Sequence, residues 1–221
     1  MARHRWLAFL LLLPTIVLAK AQWYEVEVLA FAYDNPAVST ETWPALSGFP
    51  ELSNAATLLN SNTPETLLGI RRLPKNERDF NDSYKNINYS DKTHVLFHEK
   101  WEQYINDEKN LSIRLHGGKR IVEPVLPSRH SSFYSLERPA FSLAHAQMVP
   151  EYLLPPYPWE IEGTIEMRLS RYMHVDTDFV YQTVDGQAIR ARGNAKMRSK
   201  EVHYVDHPYF GLLIRIDRKT N

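Results

Sequence analysis

The chain of 221 residues contains no cysteine. That absence excludes disulfides, zinc–thiolate centres, thiol nucleophiles and a lipid-modified N-terminal cysteine. It also bears on compartment, because a secreted animal protein of this size usually carries disulfides. Three N-x-S/T sequons, at Asn81, Asn88 and Asn110, are read as chance. An excess of charge is missing too: 26 basic residues face 26 acidic ones, with no basic stripe of the kind a nucleic-acid binder needs. No apolar run reaches the roughly 20 residues that cross a bilayer. Leu7 to Leu18 spans twelve residues and is broken by Pro14, and "YFGLLIRI" (209–216) holds eight with Arg215 among them.

Catalytic signatures are equally sparse. There is no Gly-x-Ser-x-Gly elbow and no Ser-x-x-Lys followed by Ser-Asp-Asn and Lys-Thr-Gly. "GG" at 117–118 lacks the rest of a dinucleotide or phosphate loop, so a tight turn is expected there. His94/His98 and His203/His207 are each four apart, which suits a metal on a helix but leaves roughly 13 Å between them on a strand. Neither pair has the order His-Glu-x-x-His. No metal site is expected. Asp206-His207 with Ser170 or Ser199 would make a triad, but neighbours on a strand point to opposite faces.

What the chain does have begins at its N-terminus. Arg3 and Arg5 precede the apolar stretch, and Ala19 and Ala21 occupy the −3 and −1 positions of an A-x-A site. Residues 1–21 are therefore expected to be a cleaved signal peptide, and the cysteine-free remainder to work in a bacterial periplasm, with no membrane span left. Removing Arg3, Arg5 and Lys20 leaves 23 basic against 26 acidic residues, a net charge of about −3. Residues 22–221 suffice for one domain, or for two halves joined by the Pro-rich segment 124–158.

The expected fold class is α+β, mainly antiparallel sheet with a long C-terminal hairpin and a helix near 75–88. "QWYEVEVLAF" (22–31), "THVLFHEKWEQYI" (93–105) and "LSIRLHGG" (111–118) read as strands. Residues 34–63 read as a long surface connection. Leu73, Phe80, Tyr84 and Ile87 recur at helical spacing. "EGTIEMRLSRYMHVDTDFVYQ" (162–182) alternates at period two and is expected to be one strand bent near 170–177. An Asp-Gly turn follows at 185–186, then a basic loop. "HYVDHPYFGLLIRI" (203–216) reads as a strand bulged around Pro208–Gly211, packing "LLIRI" into the core.

Asp176 and Asp178 share a strand face at roughly 7 Å, a separation glycosidase carboxylates use; a solvated acidic pair fits the same pattern. Arg190, Arg192, Lys196, Arg198 and Lys200 form either a solvated turn or a docking patch for an acidic partner.

Four blocks together resemble the CsiV family of periplasmic proteins. They are "WYEVEVLAF", "HVLFHEKW" followed by "IRLHGG", "GTIEMRLSRYMHVDTDFVY" and "MRSKEVHYVDHPYFGLLIRI", spread over about 23–217. Ser170-Arg171-Tyr172 with His174, and His203-Tyr204 with Asp206-His207-Pro208, are the most specific. The resemblance implies a non-enzymatic periplasmic factor, without cofactor, that binds peptidoglycan. It would promote wall synthesis by a class A (bifunctional) penicillin-binding protein, through that enzyme's outer-membrane lipoprotein activator. A wall binder wants aromatic platforms and Arg or His donors on a rigid sheet. Arg168, Arg171, Tyr172, His174, His203, Tyr204, Asp206 and His207 are the residues expected to line such a face of the C-terminal hairpin. Two rival classes stay open: a protein-binding adaptor without wall affinity, and a wall hydrolase using the aspartate pair.

Overall fold

The computed structural model describes residues 22–36, 49–58, 69–105, 111–121, 158–183 and 186–219. The expected leader, most of the 34–63 connection and nearly all of the Pro-rich segment 124–158 lie outside the described residues. In chain order the strands are β1 (Gln22–Tyr33), β2 (Ala56–Thr57), β3 (Ile70–Arg72), β4 (Thr93–Ile105), β5 (Ser112–Arg120), β6 (Trp159–Leu169), β7 (Met173–Gln182), β8 (Ala188–Met197), β9 (Val202–Asp206) and β10 (Phe210–Arg218). One helix, α1 (Asn81–Asn88), precedes β4. A first sheet has the order β3-β4-β1-β10-β9 and a second the order β2-β5-β6-β7-β8. Every pairing is antiparallel except the short parallel β2–β5 contact. The fold class is thus β-rich α+β, as the alternating sequence indicates.

Period-two alternation explains how the sheets meet. Tyr24, Val26, Val28, Ala30 and Ala32 of β1 share one face with Trp101 and Ile105 of β4 and with Leu212, Ile214 and Ile216 of β10. That face meets Ile113, Ile161, Ile165, Met167, Val175 and Phe179 from the second sheet in one core. The rings of Phe97 and Phe179 stack across it at 6.1 Å. Each large aliphatic side chain so buried contributes roughly 1.5–3 kcal/mol. Gly163 opposes Phe179 in the β6–β7 ladder, and a Cβ there would lie 2.2 Å from the Asp178 carbonyl oxygen. Only glycine lets β6 approach β7 this closely.

The other face of the first sheet carries α1. A 3-10 turn at Lys75–Glu77 and the helix at Asn81–Asn88 occupy the span expected to be helical. Phe80 is buried, and Tyr84 stacks on His98 at 5.7 Å. Buried Glu27 fixes the attachment: it accepts from the backbone N–H groups of Asp79 and Phe80, both at 2.8 Å, and contacts His98 Nε2 at 2.7 Å.

Four local expectations are corrected. Residues 162–182 form two antiparallel strands, β6 and β7, turning at Ser170–Tyr172, where Ser170 N–H donates to the Tyr172 carbonyl. Residues 203–216 are not one bulged strand but the β9–β10 hairpin, closed by reciprocal backbone bonds between His207 and Phe210. "GG" is no turn: β5 runs through it, with a register shift between Gly117 and Arg120 and Gly118 at φ +77°. That left-handed residue makes a bulge, a conformation that favours glycine. The basic loop is an edge strand, since Arg190, Arg192 and Lys196 lie in β8. Gly186 of the expected turn has φ +80°, and its N–H donates to the Thr183 carbonyl; Asp185 lies outside the described residues.

Candidate functional site

On the second sheet, the face turned away from the core is polar, and cross-strand register arranges it in rows. Ser112, Glu166, Asp176 and Asn194 stand side by side across β5, β6, β7 and β8. The row beside it runs Arg114, Thr164, Asp178 and Arg192. Above these rows lies a groove of about 590 Å³, walled by Glu51 and Asn54 from the segment before β2. This volume lies within the range of small-ligand sites, about 300–1,000 Å³.

Side chains at the flanks hold the floor in place. Arg168 donates to Asp176 at 2.8 Å, and Asn194 donates to the other oxygen of the same carboxylate. Burial by itself would raise the Asp176 pKa, but Arg168 and Asn194 outweigh it and hold the carboxyl below its usual range. Asp178 takes a two-pronged bond from Arg190 at 2.8 and 2.6 Å, and Arg192 approaches it at 3.4 Å. Such forked guanidinium–carboxylate pairs fix orientation as well as charge. Glu166 has neither a hydrogen bond nor an ion pair among the described residues, although it directly opposes Asp176.

A third row, Arg168, His174 and Lys196, continues toward the β6–β7 turn. There Lys196 Nζ sits 3.7 Å from the ring centroid of Tyr172, with the Arg171 guanidinium 5.7 Å away. Arg168, Arg171, Tyr172 and His174 therefore gather with Arg192 and Lys196 at one face, uniting two groups that the sequence kept apart. Arg190 is spent on Asp178, its side chain only 11% exposed. Arg198 and Lys200 lie exposed in the turn after β8.

The remaining expected residues go elsewhere. Tyr204 and Asp206 belong to the first sheet, on the face opposite the core, where the Tyr204 hydroxyl donates to Asp206 at 2.8 Å and meets the Tyr33 hydroxyl at 2.7 Å. Burial and these bonds raise the Tyr204 pKa. His203 opposes Ile214 and so faces the core side. His207 is buried in the hairpin turn against Phe210, at 4.8 Å, and burial lowers its pKa. One patch of eight is not formed, because β6–β7 and β9–β10 hairpins lie in different sheets.

A second cavity, of about 250 Å³, escaped the sequence. Its wall holds His94 between Asp34 (Nδ1, 2.6 Å) and Glu160 (Nε2, 2.8 Å). With a carboxylate at each nitrogen, the ring is set to donate twice, as an imidazolium. Its pKa is raised, first by the bond to Glu160. Glu160 is buried, which alone would raise its pKa; His94, the Lys119 N–H and the Tyr181 hydroxyl outweigh burial and lower it. A Cβ on Gly118 would lie 2.6 Å from Glu160 Oε2. The Gly-Gly pair was the available signal: it leaves room for a carboxylate. Among the described residues no group of three or more His, Cys, Asp or Glu side chains is placed to hold a metal.

A family model described as "Peptidoglycan-binding protein, CsiV" matches residues 6–219. No curated protein and no solved structure matches the chain.

Proposed function

Because the chain belongs to the CsiV family of peptidoglycan-binding proteins, we propose that it binds peptidoglycan in the periplasm through the polar face of its second sheet. The observation that carries this placement is the groove itself. Asp176 and Asp178 are held as fixed acceptors by Arg168, Asn194, Arg190 and Arg192, while Ser112, Thr164 and Glu166 stand beside them. Preset polar groups on a rigid sheet lose little freedom on binding, which favours recognition of a hydroxyl-rich polymer.

The same geometry supports binding without cleavage. A glycosidase needs one carboxyl that keeps its proton near neutral pH. Asp176 is pushed the other way, and Asp178 is gripped by two arginines. The wider role follows the family resemblance: promotion of wall synthesis by a class A penicillin-binding protein, together with its outer-membrane lipoprotein activator. Arg198 and Lys200, exposed in the turn after β8, offer a separate surface for that partner.

Co-sedimentation of the purified protein with sacculi tests the placement. Retention is expected, and Asp176→Ala/Arg192→Ala should weaken it at least about tenfold, the effect of losing roughly 1.4 kcal/mol. Tyr204→Ala/Asp206→Ala, on the other sheet, should sediment like wild type. A groove variant that melts normally and is retained fully would remove this face from the proposal.

A further inference from the structure

We infer that the groove takes the uncharged glycan backbone of peptidoglycan, with its ring hydroxyls and acetamido groups, rather than the charged stem peptide; this rests on the wall-binding reading above. The basis is where the counterions sit. Four carboxylates line the groove, from Glu51, Glu166, Asp176 and Asp178, against the single cation Arg192. Two more guanidiniums, Arg168 and Arg190, bond to Asp176 and Asp178 without lining the groove.

A stem carboxylate wants a free guanidinium fork. Inside the groove the forks are engaged or outnumbered: Arg190 and Arg168 are held by Asp178 and Asp176, and Arg192, whose Nε lies 3.4 Å from Asp178, stands among four carboxylates. An incoming carboxylate would also meet Glu166, whose cationic neighbour Arg168 is already bonded to Asp176. A stem ammonium finds Asp176 and Asp178 already neutralised by their arginines, Glu166 in the field of Arg168, and Glu51 accepting from the Ser53 N–H and hydroxyl. Hydroxyl and acetamide groups need no charge partner. They need acceptors and donors at fixed positions, and the two central rows alternate these: Ser112 with Glu166, Asp176 and Asn194; Thr164 with Asp178 and Arg192.

Dimensions agree. The floor crosses β5, β6, β7 and β8, three inter-strand steps of about 4.8 Å, or roughly 14 Å. Two linked pyranose rings occupy such a length. Stems then leave the groove at its rim, where Arg171 and Lys196 stand beyond the floor.

Titration calorimetry with a β-1,4-linked N-acetylglucosamine tetrasaccharide, with a free stem tetrapeptide and in parallel with sacculus sedimentation, tests the inference. The tetrasaccharide should bind and displace protein from sacculi, and the peptide at equal concentration should do neither. Asp176→Asn should weaken tetrasaccharide binding at least about fivefold, with only a small fall in melting temperature, because the Arg168–Asp176 pair is solvent-exposed. If the peptide binds and the tetrasaccharide does not while sacculi still retain the protein, glycan selectivity is overturned and wall binding stands. If neither sacculi nor tetrasaccharide binds, both fall. Equal tetrasaccharide affinity for wild type and Asp176→Asn would overturn the groove as its site.

Discussion

His94 shows how much one side chain can do when both of its nitrogens are claimed. Asp34 and Glu160 bracket it, and the pKa of the ring is raised while that of Glu160 is lowered. The raised histidine contributes stability that is complete below its unfolded value of about 6.5 and is lost as pH rises through the folded pKa. Glu160 contributes above its unfolded value of about 4.5, and that contribution is lost as pH falls through its lower folded pKa. Replacing His94 with Ala leaves a buried carboxylate short of a donor, which costs about 1–3 kcal/mol. Urea unfolding should show the largest gap between wild type and His94→Ala between about pH 4.5 and 6.5, narrowing as pH rises through the raised folded pKa of the ring. A gap that widens from pH 6 to pH 8 would contradict this assignment. None of this was legible locally. The sequence shows His94 only as a structural or surface histidine, too far from His98 on a strand to share a metal, and its partners lie 60 and 66 residues away.

Among the elements, α1 was the easiest to foresee and the hardest to explain from its own sequence. Its eight residues are too few to be stable alone, and none of them is buried. The helix depends on what precedes it: Phe80 enters the outer face of the first sheet, and Glu27 caps the Asp79 and Phe80 amides from β1. The alternating "YEVEV" stretch placed Glu27 opposite the valines but gave no hint that a carboxylate on that face would be buried. Glu27→Ala should leave two amides and His98 unpaired and cost about 3 kcal/mol, near the scale for breaking a buried pair. Hydrogen exchange should lose protection over 79–88 first, while β6 and β7 keep theirs. Unchanged protection at α1 in that variant would refute the attachment. Strand ends failed more often than strand faces. Arg171 and Thr177 break the alternation of 162–182, and a bend and a reversal leave the same mark in sequence. The short backbone bond from Ser170 to Tyr172 decides for reversal.

For the whole molecule, charge distribution matters more than net charge. The polar face of the second sheet mixes both signs, whereas Arg198 and Lys200 put one sign in the turn after β8. If wall binding runs through the groove by uncharged contacts, sacculus retention should change less than about threefold between 50 and 500 mM NaCl, because screening acts on exposed charges. Retention carried by the basic turn would instead fall steeply, which makes a salt series at constant pH the deciding measurement. Sequence periodicity alone set the faces of β1, β6 and β7, since Cβ direction alternates along an unbroken strand; in β4 a bulge at Leu96 breaks the alternation, so Val95 and Phe97, expected on one face, part, and His94 turns to the side opposite His98. Periodicity also held enough to separate His203 from Tyr204, which are adjacent and so point to opposite sides. Tertiary structure alone decided which strands lie side by side: β6–β7 joined β8, and β9–β10 joined β1. Ladder pairing depends on where the chain reverses and on which apolar faces bury each other, and both are contacts between residues far apart in the chain. That choice brought Arg168, Tyr172 and His174 to Arg192 and Lys196, and sent Tyr204 and Asp206 to the other sheet.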